Sequence, residues 1–545
     1  MCGCERPIRN SRTSRNCAGG RRNQMGCTTL LVGRKATNDG STIVARNEDT
    51  GDGTFTAKKM IVVEPQDQPR TYTGVENHLT MELPDNPLRY VCVPNADPSM
   101  GVWGEAGINA ANVSMSATET ITSNSRVLGA DPLVCYEPAK GTPGEPGYVP
   151  EKPGGIGEEN YVTIILPYIQ SARQGVEYMG KLLEEYGTYE MNGVAFGDSD
   201  EVWYVETIGG HHWIARRVPD DCYVAQPNRQ GIDCMDLLDA LGPRRNFMCS
   251  PDLPQWMADN NLNVAMVDPD TDTMCGIPVV FNPREAFSSF RYLDMRYNNA
   301  RAWYICRMLN RNNTEFQGPD AEYGPESFDI PWCMRPEVKL SVQDVKNVLS
   351  STYDGTKYDC YGVRGTEETR HEFRDIGINR TSELSILNIR NDGPPACRGV
   401  QWYACGSNPF NTCIAVYTNV HHIPDYLSGT TEQVGTDSFY WTNRLIGALA
   451  DPEFFQNLVP LYEFQQDTLA QGYASVHATD LAVQTAWDSQ GANGNDMNDE
   501  QIIGILEAAN AKLIDAIRKS SDKLLSQVLF ERSLHMKNAF GASDA

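Results

Sequence analysis

The stretch that decides the fold is CTTLLVGRKATNDGSTIVARNED, residues 27–49. Two β-branched apolar runs, CTTLLVG and STIVAR, flank the turn signal NDG at 38–40, and this pattern predicts an antiparallel hairpin. The first strand begins at a cysteine and the second ends just past Arg46. Because a hairpin places the start of one strand beside the end of the next, we expect Cys27 to lie close to Arg46 and Asp49.

Elsewhere, strand patterns come in two blocks that are flanked by helical patterns. Strands are predicted at 59–64, 89–93, 112–118, 193–197, 201–207, 211–218, 383–389, 399–406 and 412–418, with a meander between 193 and 218. Helices are predicted over 158–186, where Pro167 kinks or splits the helix, near 295–310, over 341–352 from Ser341 as N-cap, and from 436 onward, ending in a long helix from about Asn498 to Asn538. This order predicts a layered α+β protein.

Composition and charge exclude several classes of protein. Among 545 residues, 71 acidic side chains outnumber 46 basic ones, for a net charge of -25. Such an excess repels polyanions, so binding to nucleic acids or to anionic membranes is not expected. The chain contains no run of apolar residues long enough to span a bilayer, which takes about 18 or more.

The sixteen cysteines and the histidine doublets raise the question of metal binding. No CxxC pair occurs, which removes the usual zinc-ribbon and thioredoxin signatures. Most cysteines have apolar neighbours, so we expect reduced, buried thiols in a cytoplasmic protein. His211-His212 and His421-His422 are expected on strands, where adjacent side chains point to opposite faces, so neither pair converges on an ion. We expect no metal site.

The first 24 residues differ in composition from the rest of the chain. They contain six arginines, one acidic residue and almost no large apolar side chain, whereas a secretory signal needs an apolar region of about 7–15 residues. We therefore expect residues 1–26 to be a disordered leader or a propeptide, with Met25 as an alternative translation start.

A cysteine at the start of a strand suits one kind of chemistry. The thiolate is the reactive form, and an internal cysteine needs a nearby base to produce it. If the chain is cut just before Cys27, the α-amino group of that residue can serve, because a pKa of about 7.7–8.0 leaves much of it neutral near physiological pH. The cut can be self-driven: the Cys27 thiol attacks the carbonyl of Gly26, the acyl group moves to sulfur, and water releases it.

From Cys27 onward the sequence resembles the dipeptidase A family of N-terminal-nucleophile cysteine peptidases. After CTTLLVGRKATNDGSTIVARNEDTG, the resemblance continues in WGEAGIN (103–109), GHHWIARRVPDDCYVAQPN (210–228), SVQDVKNVLSSTYDGTKYD (341–359), GINRTSELSILNIR (377–390), GVQWYACGS (399–407) and FYWTNRLIGALAD (439–451). It implies the four-layer αββα sandwich that this family shares with penicillin V acylases and bile salt hydrolases. We expect a catalytic domain over 27–451 and a C-terminal helical extension over 452–545.

The resemblance also implies five site residues. Cys27 matches the nucleophile, and Arg46 and Asp49 match an Arg-Asn-x-Asp element. In that element the aspartate can hold the free α-ammonium, and the guanidinium beside the sulfur favours the thiolate. Asn228 matches an asparagine whose amide faces the developing oxyanion. Arg301 matches an arginine close to the nucleophile.

Two assignments stay open at this point. Arg296 and Arg307 are close to Arg301 in the sequence, and either could take its place. Where the acylases supply a second oxyanion asparagine, this chain has the stretch MSAT, with Thr118 nearest in register. A backbone N–H could replace that second donor.

These residues predict a self-processed cysteine hydrolase that cleaves the amide bond of dipeptides through an acyl-enzyme thioester. Dipeptides are the expected partners, no metal or organic cofactor is expected, and the oligomeric state stays open, a homo-oligomer included. Two alternatives remain. One is an acylase of the same fold that acts on N-acyl amino acids or conjugated amides. The other is a non-catalytic interaction protein that keeps the fold.

Overall fold

The computed structural model describes residues 26–51, 55–263, 267–490 and 500–539, apart from the side chains of Thr118, Glu119 and Gln490. Of the predicted leader, only Gly26 is among the described residues. The strands are β1 Thr28–Val32, β2 Thr42–Asp49, β3 Ile61–Val63, β4 Thr71–Thr73, β5 Thr80–Glu82, β6 Tyr90–Cys92, β7 Ala106–Asn109, β8 Ser114–Thr120, β9 Asn192–Gly197, β10 Val202–Thr207, β11 Trp213–Arg217, β12 Tyr223–Gln226, β13 Met235–Asp236, β14 Phe247–Cys249, β15 Thr273–Met274, β16 Ile277–Pro278, β17 Val280–Phe281, β18 Cys333–Met334, β19 Thr381–Ile389, β20 Gly399–Cys405 and β21 Ile414–Tyr417.

The helices follow the same chain order. They are α1 Ser125–Ala130, α2 Glu158–Ile165, α3 Ala172–Tyr186, α4 Leu237–Leu241, α5 Leu253–Asp259, α6 Pro283–Phe287, α7 Tyr292–Asp294, α8 Ala300–Leu309, α9 Val342–Leu349, α10 Glu367–Arg370, α11 Asp425–Ser428, α12 Phe439–Ala450, α13 Phe454–Gln490 and α14 Glu500–Leu534. The fold is therefore a mixed α/β one with antiparallel sheets and C-terminal helices.

The first sheet contains seven strands in the order β18-β12-β1-β2-β19-β20-β21. Strands β1 and β2 pair antiparallel with Thr29 opposite Arg46, which confirms the predicted hairpin, and Gly40 in the connecting turn has a φ of 79°. Strand β1 also pairs with β12, with Thr29 opposite Gln226. The start of β1 therefore lies between the ends of β2 and β12.

The second sheet contains eight strands in the order β14-β11-β10-β9-β8-β7-β6-β3. Strands β9, β10 and β11 pair in sequence and antiparallel, as the predicted meander requires. The last of them starts at Trp213 rather than at 211, so His211 and His212 precede the strand.

Apolar side chains fill the space between the two sheets and the space outside each sheet. Leu31 and Val44 of the first sheet belong to the same buried cluster as Ala195 and Tyr204 of the second. The other face of the first sheet packs against α8, α9 and the C-terminal helices, and the other face of the second sheet packs against α2 and α3.

The alternation of side chains along β2 divides its charged end between two environments. Val44 faces the second sheet, so Arg46 and Glu48, at the same phase of the alternation, face it too. Asn47 and Asp49 point to the opposite face, where Asn47 donates to a carbonyl at the end of α9. Both faces of β2 therefore carry polar groups at the edge where β1 begins.

Local signals set the helix boundaries as expected. The predicted helix over 158–186 is split, with α2 and α3 separated by a 3-10 turn, Leu166–Tyr168, that contains Pro167. Ser341 caps α9 by accepting a hydrogen bond from the backbone N–H of Asp344. Between α7 and α8 the chain forms a π-helical turn, Met295–Asn299, a widened geometry that often occurs at functional sites.

The two long C-terminal helices pack against the first sheet and against α12. The last helix, predicted from about Asn498 to Asn538, buries one face that includes Ile502, Leu506, Leu513 and Ile517. None of the helices in the described ranges has the length and apolarity that a membrane crossing needs. The boundary at 451 between a catalytic domain and an extension stays a prediction.

Twelve of the thirteen described cysteines are outside disulfides, as predicted, but Cys234, Cys275, Cys333 and Cys360 are not buried, contrary to the prediction. Cys135 is disulfide-bonded, so the prediction of reduced thiols is wrong at that position.

Candidate active site

The candidate nucleophile lies at the edge of the first sheet where the ends of β2 and β12 flank the start of β1. Cys27 immediately precedes β1, and its side chain is fully buried. Asn228 follows β12 by two residues, and Arg301 lies in the first turn of α8. The sheet register therefore brings these three positions together although they are far apart in sequence.

The Cys27 thiol contacts a buried guanidinium. Nη2 of Arg46 lies 2.8 Å from Cys27 Sγ and donates to Glu158 at 2.7 Å, while Nη1 donates to Glu105. Burial alone would lower the pKa of Arg46, but the charges of Cys27, Glu105 and Glu158 raise it well above its ordinary value. Arg46 is therefore a cation held beside the sulfur, and such a neighbour favours the thiolate.

A cluster of buried charges continues behind Arg46. Nζ of Lys58 lies 3.3 Å from Glu105 and 3.1 Å from Glu48. Burial and then the charge of Glu105 raise the pKa of Glu48 to about 7. Burial and then the charge of Glu48 raise the pKa of Glu383 to about 8. Carboxyl groups outnumber cations in this cluster, so part of it carries protons near neutral pH.

On the other face of β2, Asp49 holds the residue before the nucleophile. Its carbonyl accepts from the N–H of Gly26 at 3.1 Å, and its carboxylate accepts from Arg374 and, at 2.5 Å, from the hydroxyl of Thr381. The Nη2 group of Arg374 also donates to the carbonyl of Gly26. Asp49 therefore lies close to Cys27, as expected, with its contacts directed at the peptide that precedes Cys27.

Arg301 connects Cys27 to Asn228. Its Nη1 group donates to the Cys27 carbonyl and, at 2.8 Å, to the hydroxyl of Thr28, and its Nη2 group donates to Oδ1 of Asn228 at 2.8 Å. Asn228 is fully buried, and its Nδ2 has no hydrogen-bond partner within the part of the chain that the structure describes. Leaving a buried donor unpaired is costly, and this one is available to a developing oxyanion.

The structure separates Arg301 from its two sequence neighbours. Arg296 is paired with Glu372, and Arg307 donates to Gln317 at 3.0 Å. Of these three arginines, Arg301 is the one that contacts the backbone of Cys27.

The second oxyanion donor is not resolved by these contacts. The MSAT stretch lies in β8, but the side chain of Thr118 is outside the described side chains, so its role stays a prediction.

Trp103 and Glu105, close to the site, both have a positive φ, 49° and 56°. Such backbone strain in residues other than glycine concentrates at functional sites, and here it accompanies the contact of Glu105 with Arg46.

The histidine doublets differ from the prediction. Nδ1 of His211 lies 3.0 Å and Nδ1 of His212 2.7 Å from the two carboxylate oxygens of Asp131, so the expectation of opposite faces is wrong for this pair. Both residues precede β11 and are therefore free of strand alternation. His421 pairs with Glu64 at 2.5 Å. Among the described residues, no group of three or more His, Cys, Asp or Glu side chains is placed to hold a metal ion.

Sequence reasoning missed several residues that surround the site. Glu105 lies inside the WGEAGIN block, yet no local pattern distinguishes it from a surface glutamate. Arg374 and Tyr297 come from separate segments, and the ring of Tyr297 lies 5.1 Å from Cζ of Arg374 and 5.3 Å from Cζ of Arg301. No local sequence pattern marks Tyr297, which lies in the widened turn before α8.

Three features meet at Cys27. Its thiol lies beside the Arg46 guanidinium, Asn228 provides a buried amide donor, and hydrogen bonds hold the preceding residue, Gly26. The side chains of Cys27, Arg46, Asp49, Asn228 and Arg301 are all buried to at least 99%. This set can form and stabilise a tetrahedral intermediate at a carbonyl carbon, which is the chemistry of acyl transfer.

Comparison with known proteins adds an independent observation. Residues 26–467 match the model of Peptidase family C69, and the match begins one residue before Cys27. A dipeptidase of Bifidobacterium longum is 48% identical over 547 residues, covering 95% of this chain and 100% of that protein. A probable dipeptidase A of Streptococcus pyogenes serotype M3 is 46% identical over 520 residues, covering 95% and 100%. Dipeptidase A of Lactobacillus helveticus is 41% identical over 511 residues, covering 93% and 97%.

Proposed function

The chain belongs to peptidase family C69 and is a cysteine-type peptidase, and from that premise we propose that it is a dipeptidase whose nucleophile is the Cys27 thiol. The observation that carries the proposal is the 2.8 Å contact between Cys27 Sγ and the buried guanidinium of Arg46. It supports Cys27, rather than another of the described cysteines, as the reactive thiol. The names of the relatives support dipeptides as the substrate class.

In the proposed reaction, Cys27 Sγ attacks the scissile carbonyl of the dipeptide. The thiolate is favoured by Arg46, and the negative charge that develops on the carbonyl oxygen is stabilised by Nδ2 of Asn228. The α-amino group of Cys27 takes the thiol proton and passes it to the leaving amine. Water then hydrolyses the thioester. Arg301 positions Asn228 and the Cys27 backbone, and no cofactor is needed.

This scheme requires the α-amino group of Cys27 to be free. Removal of the preceding residues exposes it, and Asp49 can then hold the ammonium form. The burial of every proposed site residue in the chain that still carries Gly26 supports removal as the step that opens the site to substrate.

The arrangement of helices, two sheets and helices supports the αββα sandwich of the N-terminal-nucleophile hydrolases. Within it, residues 27–451 form the catalytic domain and residues 452–545 a C-terminal extension whose described helices, α13 and α14, pack on it. Twelve of the thirteen described cysteines lie outside disulfides, which supports a cytoplasmic location, and we assign no nucleic-acid or membrane partner.

The test combines N-terminal sequencing of the purified enzyme with a substrate panel. We expect the mature chain to begin at Cys27 and to hydrolyse dipeptides, and we expect Cys27→Ala to lose both the cut and the hydrolysis. The matched control is Cys405→Ala, another buried thiol of the first sheet, which should retain both.

Other outcomes would point elsewhere. Turnover of N-acyl amino acids or conjugated amides without turnover of dipeptides would indicate an acylase. Active enzyme with residues ahead of Cys27, or turnover by Cys27→Ala, would refute the mechanism. A purified chain that is uncut and inactive on both substrate classes would favour a non-catalytic interaction protein.

A further inference from the structure

Two hydrogen bonds hold Gly26, whose carbonyl belongs to the peptide bond that precedes Cys27. The N–H of Gly26 donates to the Asp49 carbonyl at 3.1 Å, and the Gly26 carbonyl accepts from Nη2 of Arg374. The space around Gly26 is filled by the groups that hold it: a Cβ at that position would lie 2.2 Å from the hydroxyl of Tyr297 and 2.8 Å from Nη2 of Arg374. Any residue larger than glycine at position 26 would therefore require Tyr297 and Arg374 to move.

The guanidinium of Arg374 is well fixed in place. Its side chain is 5% exposed and paired with Asp49, it lies over the ring of Tyr297, and Nη1 donates to the carbonyl of Asp375 at 2.9 Å. Burial alone would lower the pKa of Arg374, but the charge of Asp49 raises it above its ordinary value. Arg374 is therefore a rigid cation aimed at one carbonyl oxygen, the one on which charge would develop if the Gly26–Cys27 bond were attacked.

We propose that Arg374 is the oxyanion-stabilising residue of maturation, a catalytic role separate from that of Asn228 in dipeptide turnover. This inference rests on the proposed function. The Cys27 sulfur forms a bond to the Gly26 carbonyl carbon, closing a five-membered ring, and the carbonyl oxygen becomes an oxyanion on Arg374. The carbon–nitrogen bond then breaks, and the thiol proton ends on the Cys27 nitrogen. Water hydrolyses the resulting thioester, releasing the Gly26 carboxyl group and the thiol.

The two proposed donors approach Cys27 from different elements. Asn228 follows β12 and is held by Arg301, whereas Arg374 comes from the segment after α10 and is held by Asp49. The contact from Arg374 goes to the carbonyl of the residue that is lost, and Nδ2 of Asn228 has no acceptor among the described residues. Arg374 thus already binds the carbonyl of Gly26, whereas Nδ2 of Asn228 is available to the carbonyl of a substrate.

The test follows the release of residues ahead of Cys27 in freshly made protein, by intact mass over time. Arg374→Gln should slow the appearance of chains that begin at Cys27 by about 10²–10³-fold, the usual cost of losing one oxyanion donor, and Arg374→Lys, which keeps a cation for Asp49, should recover part of the rate. The matched control is Arg380→Gln. Arg380 also reaches the Tyr297 hydroxyl, at 3.3 Å, but its other contact is with the carbonyl of Gly51, so this variant should mature at close to the wild-type rate.

A second form of the protein separates maturation from turnover. If the initiator methionine is placed directly before Cys27, the expression host's methionine aminopeptidase can expose Cys27 without self-cleavage. In that form the loss of kcat on a dipeptide in Arg374→Gln, which reflects only the lost pairing with Asp49, should be at least tenfold smaller than its loss of maturation rate, and a circular-dichroism spectrum reports whether the variant is folded. Maturation of Arg374→Gln at the wild-type rate, or an equal delay in Arg380→Gln, would overturn the proposal. A wild-type chain that keeps residues before Cys27 while active would instead overturn the proposed function.

Discussion

Two buried cysteines of the first sheet lie in opposite electrostatic environments. Cys27, ahead of β1, contacts the guanidinium of Arg46 at 2.8 Å. Cys405, at the end of β20, is directly opposite Glu383 in the ladder, and burial together with the charge of Glu383 raises the pKa of its thiol well above the ordinary value. Both side chains are fully buried, so burial does not distinguish them.

The difference indicates that the nearest charge, which strand register sets, favours the thiolate at Cys27 and disfavours it at Cys405. Glu383 pairs across the ladder with Glu48 on one side and with Cys405 on the other. The cation Arg46 lies two residues before Glu48 on the same face of β2. Arg46, Glu48 and Glu383 therefore form a buried row of charged side chains. Cys27 lies beside its cation, Arg46, and Cys405 lies opposite its last carboxyl group, Glu383.

The largest expected effect comes from removing the charge of Arg46, after which Cys27, like Cys405, has no guanidinium from this residue beside its thiol. Arg46→Gln removes the buried cation that Glu105 and Glu158 share, and breaking a buried ion pair typically costs about 3–5 kcal/mol of unfolding free energy. The loss is measured by urea denaturation, with maturation followed by intact mass. We expect the variant to lose both stability and the cut before Cys27.

Arg34→Gln is the matched control for this substitution. Arg34 lies in the turn of the same hairpin and pairs with Asp200 and Asp220 at the surface, where such pairs contribute about 0–1 kcal/mol. An equal loss of stability in Arg34→Gln and Arg46→Gln would contradict the charge assignment at Cys27.

The next largest effect concerns Asn228, the amide donor that lies near Cys27 in addition to the Arg46 guanidinium. Asn228→Ala removes the unpaired Nδ2 and should lower kcat on dipeptides by about 10²–10³, or roughly 2.7–4 kcal/mol, with little change in KM. The control is Asn408→Ala, a buried asparagine that contacts Asn47 and the carbonyl of Leu349. If both variants lose kcat equally, the role of Asn228 is structural.

The smallest expected effect concerns Glu383, the buried carboxyl group opposite Cys405. Glu383 has a pKa of about 8 in the folded protein, above its ordinary value, so the folded state binds this proton more tightly than the unfolded state does. The resulting stabilisation is complete below about pH 4 and is lost as the pH rises through 8. Glu383→Gln should therefore reduce the fall in stability between pH 6 and pH 9 by up to about 3 kcal/mol.

Thermal melting at several pH values provides the measurement, and Asp515→Asn provides the control. Asp515 is exposed on α14 and pairs with Lys519, so its replacement should leave the pH dependence unchanged. A wild-type and a Glu383→Gln protein with parallel pH profiles would show that Glu383 does not take up a proton in this range.

Much of the fold follows from local pattern. The hairpin of β1 and β2, the meander of β9–β11, the division of a helix at Pro167 and the cap at Ser341 all depend on residues close together in sequence. The predicted start of β11 at residue 211 is wrong because the apolar pattern does not show where strand pairing begins. The predicted geometry of His211 and His212 is wrong for the same reason.

The candidate site divides in the same way. The closeness of Cys27 to Arg46 and Asp49 follows from hairpin geometry, and Asn228 and Arg301 follow from a resemblance of ordered blocks. The contacts of Arg46 with Glu105 and Glu158, which are 59 and 112 positions away, have no local signature. An isolated glutamate in a sequence reads as a surface residue until packing shows what lies against it.

By itself the sequence determined which cysteine begins a strand and which charged residues end the next one, because turn residues and β-branched runs act over a few positions. Only the tertiary structure decided which charges face that cysteine. Arg374 on Gly26, Glu105 on Arg46 and Glu383 beside Cys405 are contacts between segments that meet only when the sheets and loops have packed. Their energies depend on burial, and burial is a property of the assembled chain.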